Sequence, residues 1–245
     1  MKPIFNAKNG MMALFMTAGL AITATSCKKD ASTASATPAV TVDDAADAVT
    51  EAVTPESAGM VAQTQTAVII VNTSNLDCGQ ERDTAFGGQN SSGAAVTYSY
   101  AFSSSRLLAC NNGIPQQFTY AFSGKTSYDA PRISSADSSQ AQFSVTGLQA
   151  GANQYVFNES YVRSGSETSK VRNKQSFASK ITIQTSDLTV NKSTGLIVSG
   201  TASVSISGSA SGGASFSYSG TITFLGNKQA TLVLGNGNTY SIIWS

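Results

Sequence analysis

Ser215-Phe216-Ser217-Tyr218-Ser219-Gly220-Thr221-Ile222-Thr223-Phe224 alternates throughout: Phe216, Tyr218, Ile222 and Phe224 share one parity, and Ser215, Ser217, Ser219, Thr221 and Thr223 the other. A strand sends successive side chains to opposite faces, so this stretch has one apolar and one hydroxylated face. That is the pattern of an antiparallel strand resting on a core with its other side in water. Upstream, Ala202, Val204 and Ile206 alternate in the same way. Between the two runs, Ser207 to Gly213 is rich in turn residues. Downstream, Gly226-Asn227 and Gly235-Asn236-Gly237-Asn238 supply the positive φ that tight hairpins need. Residues 196–244 therefore read as a four-stranded meander ending at Trp244.

The same period of two extends toward the N-terminus. Val96, Tyr98, Tyr100 and Phe102 alternate with small or polar residues, as do Phe118, Tyr120 and Phe122. Further strands are expected around Phe143 and Val145, from Gln154 to Arg163, and through Phe177, Ile181, Ile183, Leu188 and Val190. The apolar run Val68-Ile69-Ile70-Val71 reads as a short buried strand. The expected fold is all-β: an antiparallel β-sandwich or partly open barrel of about ten strands. A transmembrane barrel also alternates, but it would turn its apolar parity to lipid.

Composition narrows the chemistry. The chain of 245 residues has 12% charged residues, a net charge of +1 and no histidine. The charge balance gives nucleic acid no basic surface to meet. Without histidine there is no Ser-His-Asp or Cys-His device and no imidazole ligand for a metal. No catalytic set, cofactor site or metal site is expected.

The first thirty residues read as an address. Lys2 and Lys8 precede an apolar segment from Met11 to Ile22 that is too short to span a bilayer, which needs about 20 residues. Ala24-Thr25-Ser26-Cys27 resembles the lipobox of bacterial lipoproteins, with Ala24 where that family prefers Leu. The continuation Ser26-Cys27-Lys28-Lys29-Asp30 is similar to the junction seen in lipoproteins of the Bacteroidota. The resemblance implies cleavage before Cys27, acylation of Cys27 and an outer-membrane lipid anchor in the cell envelope. In that group charged residues after the Cys direct surface display. Here the usual adjacent acids are reduced to Asp30, so the side of the membrane stays open. With Cys27 acylated, Cys78 and Cys110 remain as an even pair in an oxidising compartment, so a disulfide between them is expected. Asp83-Thr84-Ala85 resembles the three-residue O-glycosylation site of exported Bacteroidota proteins, with Thr84 as acceptor.

The expected organisation is a signal peptide over residues 1–26, a lipid-anchored flexible tether over 27–66 and a β domain over 67–245. The tether is rich in Ala, Ser and Thr and almost lacks bulky side chains. Val42, Ala45, Val49 and Val53 fall near helical spacing, so a weak helix is expected at 42–53. Arg163, Lys170, Arg172, Lys174 and Lys180 stand against Glu167 alone and form a candidate anion or glycan patch. Glu159 lies inside an expected strand, at a solvated edge or paired with Arg163. Asp77, Glu81 and Asp83 supply oxygens for Ca²⁺, but their spacing matches no calcium loop and a solvated loop is expected. The aromatics at 98–102 and 118–122 are expected in the core rather than on a sugar-stacking face.

These features point to a non-enzymatic envelope module whose partner is a glycan, a neighbouring protein or a surface. The alternatives are a carrier for an apolar ligand and, behind both, a His-free hydrolase using two carboxylates. Replacing Cys27 by Ala is expected to shift the protein from the membrane to the soluble fraction of lysed cells. Unchanged sedimentation with membranes would overturn the lipid anchor.

Overall fold

The computed structural model describes residues 39–90, 93–235 and 237–245. The expected signal peptide, the lipobox-like segment and Cys27 lie outside the described residues. Ten strands follow one another in a single antiparallel sheet, each hydrogen-bonded to its neighbours in sequence. They are β1 (Glu81–Gln89), β2 (Thr97–Asn111), β3 (Ile114–Asp129), β4 (Ile133–Thr146), β5 (Gln154–Ser169), β6 (Ser176–Asn191), β7 (Ile197–Ala210), β8 (Ser215–Gly226), β9 (Gln229–Leu234) and β10 (Asn238–Ile243). The four-stranded C-terminal meander is present as β7 to β10.

The alternation seen in the sequence sorts the two faces. On β8, Phe216, Ile222 and Phe224 are buried while the intervening Ser and Thr are exposed. Phe102, Phe118, Tyr120 and Phe122 join the core, whereas Tyr98 and Tyr100 are partly exposed beside it. The outward parity is hydroxylated rather than apolar, so this face is made for water and not for lipid.

The interior is where the expectation gives way. Among the described residues no second sheet faces the first. Two helices do: α1 (Val42–Val53) and α2 (Met60–Thr73), joined through one turn of 3-10 helix at Pro55–Ser57. Residues 42–66 are therefore part of the folded domain and not tether. The run Val68 to Val71 ends α2 instead of forming a strand. A short apolar run has no period that separates a strand from a buried helix, which explains the second error. The first has a packing reason. The helix at 42–53 buries Ala45, Ala46, Ala48, Val49, Ala52 and Val53. Small side chains cannot make a core alone, but they let a helix lie close against a sheet that supplies the large ones. The helix starts at a capping box: the Thr41 hydroxyl accepts from Asp44 N at 3.1 Å, and Asp44 Oδ2 accepts from Thr41 N at 3.3 Å.

Contacts onto α1 come from far apart in the strand order. Tyr218 on β8 donates to Val40 O at 2.9 Å, and Tyr240 on β10 donates to Asp43 Oδ1 at 2.7 Å. Arg132, between β3 and β4, reaches Asp47 at 2.8 Å. The sheet therefore curls round the helices as a partly open barrel. Its end strands β1 and β10 are not paired with each other among the described residues. Beside the C-terminal end of β10, Ile243, Trp244 and Ser245 share a depression with the end of α1 and the 3-10 turn, where the Ser245 backbone N–H donates to Glu56 at 2.6 Å.

Tight curling brings strands very close at inward-facing glycines. A Cβ on Gly220 would stand 1.9 Å from Val233 O, and one on Gly208 1.9 Å from Ala178 O. Both contacts are to backbone, which cannot step aside. Gly220→Ala is expected to lower stability by about 1–3 kcal/mol through this overpacking. Gly151→Ala, whose Cβ meets nothing within 4 Å, is expected to be nearly neutral. Urea unfolding of the two variants checks the contrast.

Candidate functional site

The most concentrated chemistry lies where the helices seat on the sheet. Strand β5 turns Phe157, Glu159, Tyr161, Arg163 and Glu167 inward on one parity. Arg163 is 0% exposed. Its Nη1 donates to Glu51 O at 2.9 Å, at the end of α1, and its Nη2 donates to Ser57 O at 2.8 Å, in the 3-10 turn. Its Nε lies 3.3 Å from Asp137 Oδ1 and 3.4 Å from Ser139 Oγ, and the guanidinium stacks 5.1 Å over the Tyr128 ring. Burial alone would work against the guanidinium charge. Tyr161, Asp137, Tyr128 and Glu51 outweigh it and keep the group charged.

Three carboxyl groups share this one cation: Glu51, Asp137 and Glu167. Asp137 accepts from Ser135 Oγ at 2.8 Å and Glu167 from Ser179 Oγ at 2.8 Å. Burial raises the pKa of Asp137 against the pull of Arg163. Burial also pushes Glu167 up to about 7, with Asp137 adding to it, and Glu51 to about 7, with Glu56 and Asp47 adding. Glu51 Oε2 and Glu167 Oε2 are buried without a hydrogen-bond partner among the described residues.

Glu159 stands apart along β5. It is 3% exposed, Thr64 of α2 donates to its Oε1 at 2.8 Å, and its Oε2 has no partner. A β-bulge between Phe157 and Ser160 places it, fixed by the bond from Glu159 N to Thr185 Oγ1 at 2.9 Å. Burial pushes its carboxyl up to about 8. The expectation of a solvated edge or a pair with Arg163 is thus corrected: Glu159 faces a helix and makes no ion pair among the described residues.

The five basic residues do not form a patch. Arg163 is inside. Arg172 binds α1, 2.8 Å from Asp44, 2.8 Å from Asp47 and 3.6 Å from Asp43. Lys170 pairs with Asp129. Lys174 lies exposed in the turn between β5 and β6, and Lys180 is exposed on the outer face of β6. Sequence neighbours on a strand alternate between faces, so linear clustering of charge did not become spatial clustering. Thr84 is exposed, but on edge strand β1 rather than in a loop. Cys78 and Cys110 sit at disulfide distance, with S–S 2.05 Å and Cα–Cα 5.6 Å, tying the segment before β1 to the end of β2. Asp77 pairs with Arg82, while Glu81 and Asp83 are exposed on β1. Among the described residues no group of three acid, Cys or His side chains is placed to hold a metal.

The outer face offers a second, quite different surface. On β7 and β8 the outward positions are hydroxyls, paired directly from Thr201 and Thr223 to Ser209 and Ser215. A broad shallow depression crosses β1 to β5, lined by Gly87, Ala101, Ser127, Ser138 and Ser164, with Lys125 on its floor.

The seat had a legible signal that sequence reasoning passed over. Glu159, Arg163 and Glu167 share parity with Phe157 and Tyr161, so charges were already marked on the apolar side of a strand. Their partners Glu51 and Asp137 carry no such mark. Comparison with protein-family models, curated proteins and solved structures finds no match for the chain.

Arg163→Leu leaves Asp137 without its cation and Ser57 O without its donor, and is expected to cost about 3–5 kcal/mol. Adding Asp137→Leu should recover part of that loss, because the orphaned charge goes with it. A double-mutant cycle by urea unfolding measures the recovery.

Proposed function

We propose that this protein is a non-enzymatic binding module of the cell envelope, anchored through acylated Cys27 and presenting the outer face of its sheet to a neutral, hydroxyl-rich partner such as a glycan. The observation that carries this reading is the composition of that face. From β2 to β9 its outward positions are dominated by Ser, Thr, Ala and Gln, with Lys125, Asp129, Lys180 and Asp187 as its charged side chains. A surface of paired hydroxyls offers donors and acceptors in rows about 4.8 Å apart and favours uncharged polar partners over ions. The candidate O-glycosylation at Thr84 would extend the same surface at its edge.

A second reading, a carrier for an apolar ligand, draws on the interior. Helices rather than a second sheet fill the curl, and a ligand would take their place against Phe143, Phe157 and Ile183.

Protease shaving of intact cells separates the two. The binding reading expects release of the β domain while a periplasmic control stays intact, and retention of the released domain on neutral polysaccharide that salt does not weaken. Protection until the outer membrane is broken would overturn outward display and favour the carrier.

A further inference from the structure

The helical hairpin is held in the sheet by two unlike sets of contacts. At the start of α1 the contacts are ion pairs open to water on one side: Arg172 grips Asp43, Asp44 and Asp47, and Ser169 Oγ adds a bond to Asp44 at 2.9 Å. From the end of α1 through the turn into α2 they are buried. Arg163 holds Glu51 O and Ser57 O, Glu159 accepts from Thr64, and Glu51, Asp137 and Glu167 crowd one guanidinium. This second set borders a depression beside the C-terminal end of β10, lined by Glu51, Thr54 and Glu56 of the hairpin together with Val96, Ile243 and Trp244.

We propose that residues 51–68 are a proton-latched plug, seated in the curled sheet while its carboxyls are neutral and released toward that depression when they ionise, with the start of α1 acting as the fixed end. The geometry demands a dependence of this kind. One guanidinium cannot balance the carboxylates of Asp137, Glu167 and the half-buried Glu51 together, and Glu159 has no cation beside it among the described residues. An ionised Glu159 would stand as an isolated charge between β5 and α2, with one oxygen unbonded.

The direction follows from which state holds the protons. Glu51 and Glu167 titrate at about 7 and Glu159 at about 8 in the folded chain, against 4.5 for a free Glu. Groups raised in the folded state stabilise it fully below their free value, and that contribution is lost as pH climbs through 7 to 8. Asp137 and Tyr128, which face the same cation from β4 and β3, are raised as well and do not oppose the trend. Asp44 behaves the other way. Burial alone would raise it, but bonds from Thr41 and Ser169 and the charge of Arg172 bring it below the usual range. The clamp on α1 therefore stays charged across the window in which the latch opens. The inference does not depend on the anchor or on the identity of the outer-face partner.

Amide hydrogen exchange of the full-length protein at pH 5.5 and pH 8.5, expressed as protection factors, tests it. Protection within 51–68 is expected to fall at least tenfold at the higher pH, while residues 42–47 and strands β4 to β7 keep theirs. Glu51→Gln, Glu159→Gln and Glu167→Gln combined are expected to hold the pH 8.5 protection at its pH 5.5 value, with Arg163 left to pair with Asp137 alone. Equal protection of 51–68 in the wild-type protein at both pH values overturns the proposal even if the variant fails to fold. So does a variant that loses protection as far as the wild type.

Discussion

A guanidinium removed from water must place its N–H groups on acceptors or lose several kcal/mol, and Arg163 does so by reaching across from the sheet to the backbone of the helices. Two of its bonds end on carbonyls at the end of α1 and in the following turn: Glu51 O, which also accepts from the Ser57 hydroxyl, and Ser57 O. The same group sits against Asp137 and Tyr128. One side chain thus joins α1, the 3-10 turn, β3, β4 and β5. The position of the helices, and with it the filling of the curled sheet, depends on this buried polar node more than on any single apolar contact.

The rest of the interior is a match of sizes. The sheet contributes Phe118, Tyr120, Phe143, Phe157 and Tyr161, all buried, and the helices answer with alanines and valines. Neither partner would hold a shape alone. A ten-stranded sheet has one apolar face to cover, and an Ala-rich helix buries too little to offset its own ordering. Together they reach close packing, while inward glycines such as Gly208 and Gly220 let the strands approach where the curl is tight. Each layer explains a feature of the other that looks weak in isolation.

The two candidate surfaces differ in how far the sequence exposed them. The hydroxylated outer face was plain from parity alone, since every second residue from Ser199 to Ser209 and from Ser215 to Thr223 is Ser or Thr. The buried seat was half visible, because Glu159, Arg163 and Glu167 share the parity of Phe157 and Tyr161 on one strand. What could not be read was the other half: Glu51 lies more than a hundred positions from Arg163, and Asp137 is on the neighbouring strand. Charge in a strand looks like solubility until the register shows which side it faces. For the same reason Lys170, Arg172, Lys174 and Lys180 looked like one patch and are several unrelated contacts.

By itself, the sequence determined that the chain is mostly antiparallel β, where strands β2 to β10 fall, the turns of the C-terminal meander and the wet and dry sides of its strands. Those properties follow from local periodicity and from the φ preferences of Asn and Gly. The tertiary structure alone decided that residues 42–73 turn inward as helices, that the curl closes round them, and that one arginine is shared among three carboxyls. These outcomes rest on contacts between residues far apart in the chain. Small side chains are worth burying only when a large-residue face is already there to receive them, and no local pattern announces that.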